Sequence, residues 1–308
     1  MRRENQQGRC YPVKQTGFAT EGGSCLMDSL HVIRALALDY PVLYLDPETA
    51  DQEEYRKVYL RGEDPETRDL SHYRGSDEDR DETETTPAGP VRTVTLGNRR
   101  DFERVIRGLM GAKEGPKAPV PPSQGAAMLT VFNWPRIHAH VAAFPPEQQN
   151  EEFRRFTADR KNYQDMLVVL SRGPYSHVSA AEAGFSEAEW TERSDTIRRY
   201  HELTHVICRK TYPQNIDAVR DELVADTVGL TAAFGRFDRR LAEKFLGIED
   251  GKYTGGRLEN YTDNAEEKTA PVSAALERIE KIVAETQWNS PFDLIPALME
   301  LPGMGEKR

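Results

Sequence analysis

The sequence predicts an α+β fold, in which a mixed β-sheet packs against two long helices from the second half of the chain. Short apolar runs with strand character occur before residue 171, whereas residues 187–210 and 216–234 carry apolar side chains at helical spacing. Of the 308 residues, 38% are hydrophobic, which is enough for a core. We find no internal repeat, and we expect an ordinary globular protein.

The N-terminal part of the chain divides into two segments of different composition. Residues 1–61 are expected to form a helix followed, after Pro41, by a short strand. Residues 62–90 are rich in Asp and Glu and contain few apolar side chains. Such a tract has too little apolar area to offset the entropy of ordering, so we predict a mobile acidic loop there.

The central segment, residues 91–250, is predicted to be the core of the fold. Its strands are expected at Val91–Leu96, Ala126–Phe132 and Met166–Leu170, and a helix is expected over Arg100–Met110. The run Met166–Leu170 is apolar throughout, which is typical of a buried strand.

The C-terminal segment, residues 251–308, is expected to pack on this core. It begins with a polar loop that contains several glycines, over Gly251–Asp263. An amphipathic helix is predicted over residues 272–287 and a short helix over Phe292–Met299.

Charge and composition exclude several classes of partner. The net charge of −10 argues against a nucleic-acid surface, because phosphate binding requires a basic stripe. No apolar stretch is long enough to span a membrane, and the N-terminus leads into no apolar signal segment. We therefore predict a cytoplasmic protein, with an oligomeric state that the sequence leaves open.

Residues 201–205 carry the strongest chemical pattern in the chain. They read His-Glu-Leu-Thr-His, and on a helix His201 and His205 share one face, so both imidazoles can bind one metal ion. Ser186 and Glu189 form a capping box that starts this helix, and Pro213 ends it. Glu202 is then placed to act as a general base.

A second helix is expected to supply the third ligand. Asn215 is its predicted N-cap and Gly235 its end. No histidine follows His205, so the third ligand, if it lies downstream of His205, is a carboxylate. Two histidines and a glutamate are a common catalytic zinc set, and Glu222 is our choice, with Asp221 and Asp226 as rivals. Asp226 is also placed to accept the second ring N–H of a ligating histidine.

The two motifs together resemble those of the gluzincins, the group of zinc metallopeptidases that includes thermolysin. The resemblance rests on His-Glu-Leu-Thr-His and on the pair Glu222 and Asp226, four residues apart. It implies a zincin-like fold, with a sheet against the first metal helix, and a zinc cofactor. The stretches at 122–126, 175–180, 201–205 and 221–226 also resemble an uncharacterised bacterial family, over roughly residues 40–260.

Other candidate site residues cannot be ranked from the sequence. The oxyanion formed at an attacked carbonyl needs a hydrogen-bond donor, and the candidates are His138, His140, His177 and Tyr200. The chain has three cysteines without disulfide or metal spacing, which fits a reducing compartment. We interpret Cys208, on nearly the same helix face as His201, and Cys25 as buried thiols.

Three classes of function are compatible with these observations. The first is a zinc peptidase that cleaves a peptide or protein by a metal-activated water. The second is a metal-dependent enzyme that acts on a small molecule or a peptide natural product. The third is a non-catalytic protein whose zinc has four protein ligands, the fourth being Cys208 or a nearby Asp. A closed pocket would favour the small molecule, and an open cleft beside a free strand edge would favour a peptide.

Overall fold

A computed structural model gives the structure of the chain for residues 29–114, 119–121, 124–214 and 217–303. Within these ranges the protein contains eleven α-helices and a four-stranded sheet, together with a short hairpin. The predicted α+β fold is confirmed.

The sheet consists of β1 (Arg80–Thr86), β2 (Gly89–Leu96), β3 (Ala126–Phe132) and β4 (Gln164–Ser171), in the order β1-β2-β4-β3. Strands β2 and β4 are parallel, and the other two pairs are antiparallel. The sheet is therefore mixed, as the sequence predicted. Strand β3 lies at one edge of the sheet and β1 at the other.

Strand β4 is covered on both faces, which explains its uninterrupted apolar sequence. Val168 and Leu170 belong to one hydrophobic cluster, and Leu167 and Val169 belong to another. Because successive side chains of a strand point to opposite faces, the two clusters lie on opposite sides of the sheet. The sheet thus forms the middle layer between two groups of helices.

The helices of the first half of the chain are α1 (His31–Asp39), α2 (Gln52–Arg61), α3 (Arg99–Glu114), α4 (Trp134–Ala142) and α5 (Pro146–Thr157). Helices α1 to α3 contribute to the cluster that contains Leu167 and Val169. The predicted helix at Arg100–Met110 corresponds to α3.

The helices of the second half are α6 (Ala180–Ala183), α7 (Glu187–Thr211), α8 (Ala218–Phe234), α9 (Arg239–Leu246), α10 (Ala265–Glu285) and α11 (Ile295–Leu298). The hairpin strands β5 (Ile248–Glu249) and β6 (Lys252–Tyr253) lie between α9 and α10. Helices α7 to α11 contribute to the cluster that contains Val168 and Leu170. The predicted C-terminal helices are thus present and pack on the core.

The strand predicted after Pro41 is wrong. Residues Pro41–Tyr44 form a 3-10 helix, and three of its four residues are buried. Proline is favourable at the first position of a helix. An apolar run of four residues is too short for its periodicity to distinguish a strand from a helix. Another 3-10 helix, Tyr175–His177, follows β4.

The acidic loop predicted over residues 62–90 is corrected in its second part, because residues 80–86 form strand β1. This strand lies at a sheet edge, where charged side chains can face solvent and protect against unwanted pairing. Arg92 of β2 pairs with Asp81, and Arg199 of α7 pairs with Glu82 and Glu84. The acidic side chains therefore have basic partners, which composition alone could not indicate.

None of the helices in the described ranges combines the length and the apolar character needed to cross a lipid bilayer.

Candidate metal site

Helix α7 begins as its sequence predicts. The Ser186 hydroxyl accepts a hydrogen bond from the N–H of Glu189, whose carboxylate in turn accepts one from the N–H of Ser186. Trp190 anchors the first turn by donating its indole N–H to Val178 O at 2.6 Å. The helix then runs without interruption to Thr211. His201 and His205 lie on one face of it.

Helix α8 packs closely against α7 because of one glycine. A Cβ on Gly229 would lie 2.7 Å from the carbonyl oxygen of Ile197, so a larger residue would force the two helices apart. The N-cap of α8 is Asp217, whose carboxylate accepts from the N–H of Arg220. The predicted N-cap, Asn215, lies outside the described residues. Gly235 ends the helix in the left-handed conformation, as predicted.

This packing brings His201, His205 and Glu222 together. The Nε2 atoms of the two histidines are 3.0 Å apart, and they lie 3.4 and 3.5 Å from the carboxylate oxygens of Glu222. All three residues are buried, and their ligand atoms lie within 4.8 Å of one another. The group could therefore hold a metal ion.

The other ring nitrogens of both histidines contact carboxylates. His201 Nδ1 lies 2.9 Å from Asp226 Oδ1, and His205 Nδ1 lies 3.1 Å from Asp221 Oδ2. A carboxylate in this position fixes the tautomer of a metal-binding histidine and raises its basicity. Asp221 and Asp226, the two rivals of Glu222 in the sequence, thus lie behind the imidazoles.

The chemistry of these donors fits a cation. When both imidazoles are neutral and their Nδ1 protons form the hydrogen bonds with Asp226 and Asp221, both Nε2 atoms are unprotonated, and their lone pairs face each other and a carboxylate. Such an arrangement is repulsive unless a positive charge lies between the donors. Two imidazole nitrogens and one carboxylate oxygen form a donor set that suits zinc and several other divalent transition metals.

The pKa shifts at the site have the same origin. Burial lowers the pKa of His201, but the carboxylates of Asp226 and Glu222 outweigh burial and raise it to about 10. Burial would raise the pKa of Glu222, yet the adjacent His205 and His201 hold it below its usual range. The cluster therefore attracts positive charge.

A buried network supports the His201 side. The Tyr175 hydroxyl donates to Asp226 Oδ1 at 2.7 Å and lies 2.9 Å from His201 Nδ1. Arg257 donates to the Tyr175 hydroxyl at 2.8 Å and forms an ion pair with Asp226. Tyr261 hydrogen-bonds to Glu222.

The sequence interpretation missed these residues. Tyr175 and Arg257 are 51 and 31 positions away from Asp226 along the chain. Arg257 and Tyr261 fall in the predicted polar loop Gly251–Asp263. For Tyr175 the available signal was the stretch 175–180, which resembles a bacterial family. For Arg257 and Tyr261 it was the presence of Arg, Asn and Tyr in a glycine-containing loop, which we interpreted only as polar.

The three candidate ligands line a cleft of about 920 Å³. Its walls include the start of β3, the loop that follows β4, one face of α7 and the segment around Arg257. Glu202 also lines it and makes no hydrogen bond with any described residue. Its carboxylate is thus available to a molecule in the cleft.

Of the four predicted oxyanion donors, the structure places one in this cleft. His177 lines it and has a positive φ of 59°, following a φ of 55° at Ser176. Such angles are uncommon away from glycine and cluster at functional sites.

The other three donors do not line the cleft. His138 lies beside Trp134, His140 stacks on Phe156, and Tyr200 stacks on Phe292. We assign them no role in catalysis.

Cys208 is separate from the three candidate ligands. It is buried, with Sγ 4.0 Å from the sulfur of Met299. Burial, followed by the charge of Asp221, raises the pKa of its thiol to about 12, so the thiolate that binds metals is disfavoured. This agrees with its interpretation as a buried thiol. Cys25 lies outside the described residues.

Comparisons with known proteins place the chain in a family without assigning an activity. Searches of curated proteins and of solved structures found no match. A family model described as "Family of unknown function (DUF7005)" matches residues 33–289, which is most of the chain. The protein therefore belongs to the DUF7005 family.

Proposed function

We propose that the protein is a zinc-dependent hydrolase, and more specifically a metallopeptidase with a zincin-like active site. The observation that carries this proposal is the convergence of His201, His205 and Glu222 at a cleft that Glu202 also lines. Three protein ligands beside an accessible space are typical of a catalytic zinc site, whereas structural zinc sites have four. In the described part of the chain, the group contains no fourth ligand.

The residues of the chain have distinct roles in this mechanism. A zinc ion bound by the three ligands would lower the pKa of a water molecule and polarise the carbonyl of the substrate. Glu202 accepts a proton from the attacking water while the water oxygen bonds to the carbonyl carbon. Glu202 then gives this proton to the nitrogen of the leaving amine when the C–N bond breaks. Glu202 is adjacent in sequence to a ligand and forms no hydrogen bond or ion pair with any described residue.

His177 is the best donor for the developing oxyanion. Its exposed imidazole lines the cleft on the loop that follows β4, apart from the helix that carries Glu202. In this mechanism it stabilises the negative charge on the former carbonyl oxygen.

Strand β3 supports a peptide as the substrate. Gly125 O accepts from Ser171 N–H, and the N–H of Asn133 donates to Tyr163 O, so odd-numbered residues of this segment bond to β4. In antiparallel pairs the bonding direction alternates along the strand. The even-numbered residues consequently direct their backbone groups away from β4.

These outward groups lie at the cleft. Ala126 and Met128 both line it, and β3 has no strand on that side within the described ranges. Gln124 donates its side-chain amide to Ala126 O at 3.3 Å, while the outward groups of Met128 have no described partner. An extended peptide can add to such an edge through main-chain hydrogen bonds, which positions its amide beside the metal ligands.

A small-molecule substrate is the second candidate. The cleft volume of about 920 Å³ falls within the range of small-molecule sites. The edge of β3, beside which no further strand lies in the described part of the chain, favours the peptide, because a small molecule would leave most of its backbone donors and acceptors without partners.

Metal content and peptide cleavage test the proposal. Elemental analysis of protein purified without chelators should find about one zinc per chain, lost in His201→Ala and Glu222→Ala. Iron in place of zinc would contradict the zinc assignment and favour a non-haem iron enzyme, because two histidines and a carboxylate also form such iron sites.

Glu202→Gln should retain the metal and lose roughly 10²- to 10⁴-fold in turnover, as expected for loss of a general base. Glu192→Gln, on an exposed position of the same helix, is the matched control. Full activity of the Glu202 variant would eliminate the proposed base.

A further inference from the structure

Five arginines and three glutamates are the charged residues of the cleft wall other than histidine. Two of the glutamates, Glu202 and Glu222, belong to the proposed catalytic machinery. The arginines are therefore the groups that could recognise a charged part of a substrate, provided that their guanidinium groups are not already engaged by the protein.

Four of the five arginines are engaged. Arg99 pairs with Glu103 and donates to two carbonyl groups. Arg172 pairs with Asp195, and Arg257 with Asp226. Arg198 is buried, and its guanidinium donates to the carbonyl oxygens of residues 171, 173 and 174. These four side chains connect separate elements of the cleft wall through hydrogen bonds and ion pairs.

Arg209 differs from the other four. It is exposed, and it has no hydrogen bond or ion pair with any residue that the structure describes. It lies four residues after His205 and eight after His201, so the three side chains follow one stripe of α7. Four helical residues advance about 6 Å along the axis, so Arg209 lies about one turn beyond the metal ligands.

We propose that Arg209 determines substrate specificity by binding a carboxylate of the peptide. This inference rests on the proposed peptidase function. An extended chain advances roughly 3.3 Å per residue, so the carboxylate would lie about one to three residues from the cleaved bond. It can be an Asp or Glu side chain or the C-terminus of the peptide, because a guanidinium binds both in the same bidentate manner.

A helix C-terminus offers a competing explanation for the position of Arg209. It lies in the last turn of α7, where a positive side chain interacts favourably with the helix dipole. That role would affect stability and leave peptide selectivity unchanged, so the two explanations differ in a measurable way.

The test uses a synthetic peptide library with randomised positions, prepared with amidated and with free C-termini, and cleavage is read by mass spectrometry. The wild type should prefer Asp or Glu over Asn and Gln at one position near the cleaved bond, or prefer the free C-terminus over the amide. The first result identifies a side-chain carboxylate and the second a terminal one. Arg209→Met should lower kcat/KM for the preferred peptides about tenfold and leave neutral peptides unaffected.

The control is Lys210→Met, which removes a charge from the same turn at a residue that does not line the cleft. Arg209→Glu should shift the preference towards Lys or Arg in the peptide. Equal selectivity in the wild type and Arg209→Met, with normal cleavage, would overturn this inference alone. Absence of cleavage of any peptide by the wild type loaded with zinc would overturn the peptidase proposal and this inference with it.

Discussion

The two histidines of the candidate metal site are alike in chemistry and differ in surroundings. Each has its Nε2 directed at Glu222 and its Nδ1 beside an aspartate. Behind His201, the side chain of Asp226 is 2% exposed and contacts Tyr175 and Arg257. Behind His205, the side chain of Asp221 is 20% exposed.

This difference separates a rigid half of the site from an adaptable one. The hydrogen bonds of Asp226 form in a buried environment, where electrostatic interactions are stronger and an unsatisfied group is costly. The side chain of Asp221 is partly exposed, so water can replace its hydrogen bond with His205 at a smaller cost. We infer that His201 fixes the position of the metal and that His205 adjusts to it.

The largest effect is expected from Asp226→Asn. This substitution removes the charge that orients His201 and leaves the guanidinium of Arg257 without its anionic partner. Zinc affinity should fall about 100-fold, and loss of one partner of a buried ion pair should cost roughly 3–5 kcal/mol in the free energy of unfolding. Competition with a chromophoric chelator measures the first quantity, and chemical denaturation of the metal-free protein measures the second.

Arg257→Met tests whether the stability cost arises from the ion pair. In a double-mutant cycle, the combined Asp226→Asn and Arg257→Met variant should be less destabilised than the sum of the single variants. Additive effects would mean that the two side chains do not interact, and the rigid half would lose its physical basis.

A smaller effect is expected from Asp221→Asn on the His205 side. Zinc affinity should fall about tenfold, because in the wild type the partly exposed carboxylate of Asp221 orients the imidazole of His205. The unfolding free energy of the metal-free protein should change little, because water can replace the lost interaction. A loss of affinity equal to that of Asp226→Asn would remove the distinction between the two halves.

The smallest effect on zinc affinity is expected from Tyr175→Phe. It removes the hydroxyl that donates to Asp226 and accepts from Arg257, and it retains the aromatic ring against Phe245. Loss of one buried hydrogen bond should cost about 1–3 kcal/mol in stability. Zinc affinity should fall less than in Asp221→Asn, because the carboxylate of Asp226 remains. Thermal unfolding of the two variants with and without zinc provides the comparison.

Several features of the fold were predictable because they depend on local sequence. The capping box at Ser186 and the glycine at 235 set two helix ends through contacts within one turn. The apolar run in β4 indicated a buried strand, and the structure shows that it is covered on both faces. The acidic tract was misinterpreted because the arginines that neutralise it, Arg92 and Arg199, come from other elements.

The sequence by itself determined that His201 and His205 share a helix face, because helical periodicity fixes the relative positions of residues within one helix. It also restricted a downstream third ligand to a carboxylate, since no later histidine exists. Only the tertiary structure placed Glu222 opposite both imidazoles and positioned Asp221 and Asp226 behind them. It also brought Tyr175 and Arg257 to one side and left Arg209 without a described partner. These arrangements depend on how separate elements pack against one another, and the spacing within a single element carries no information about that packing.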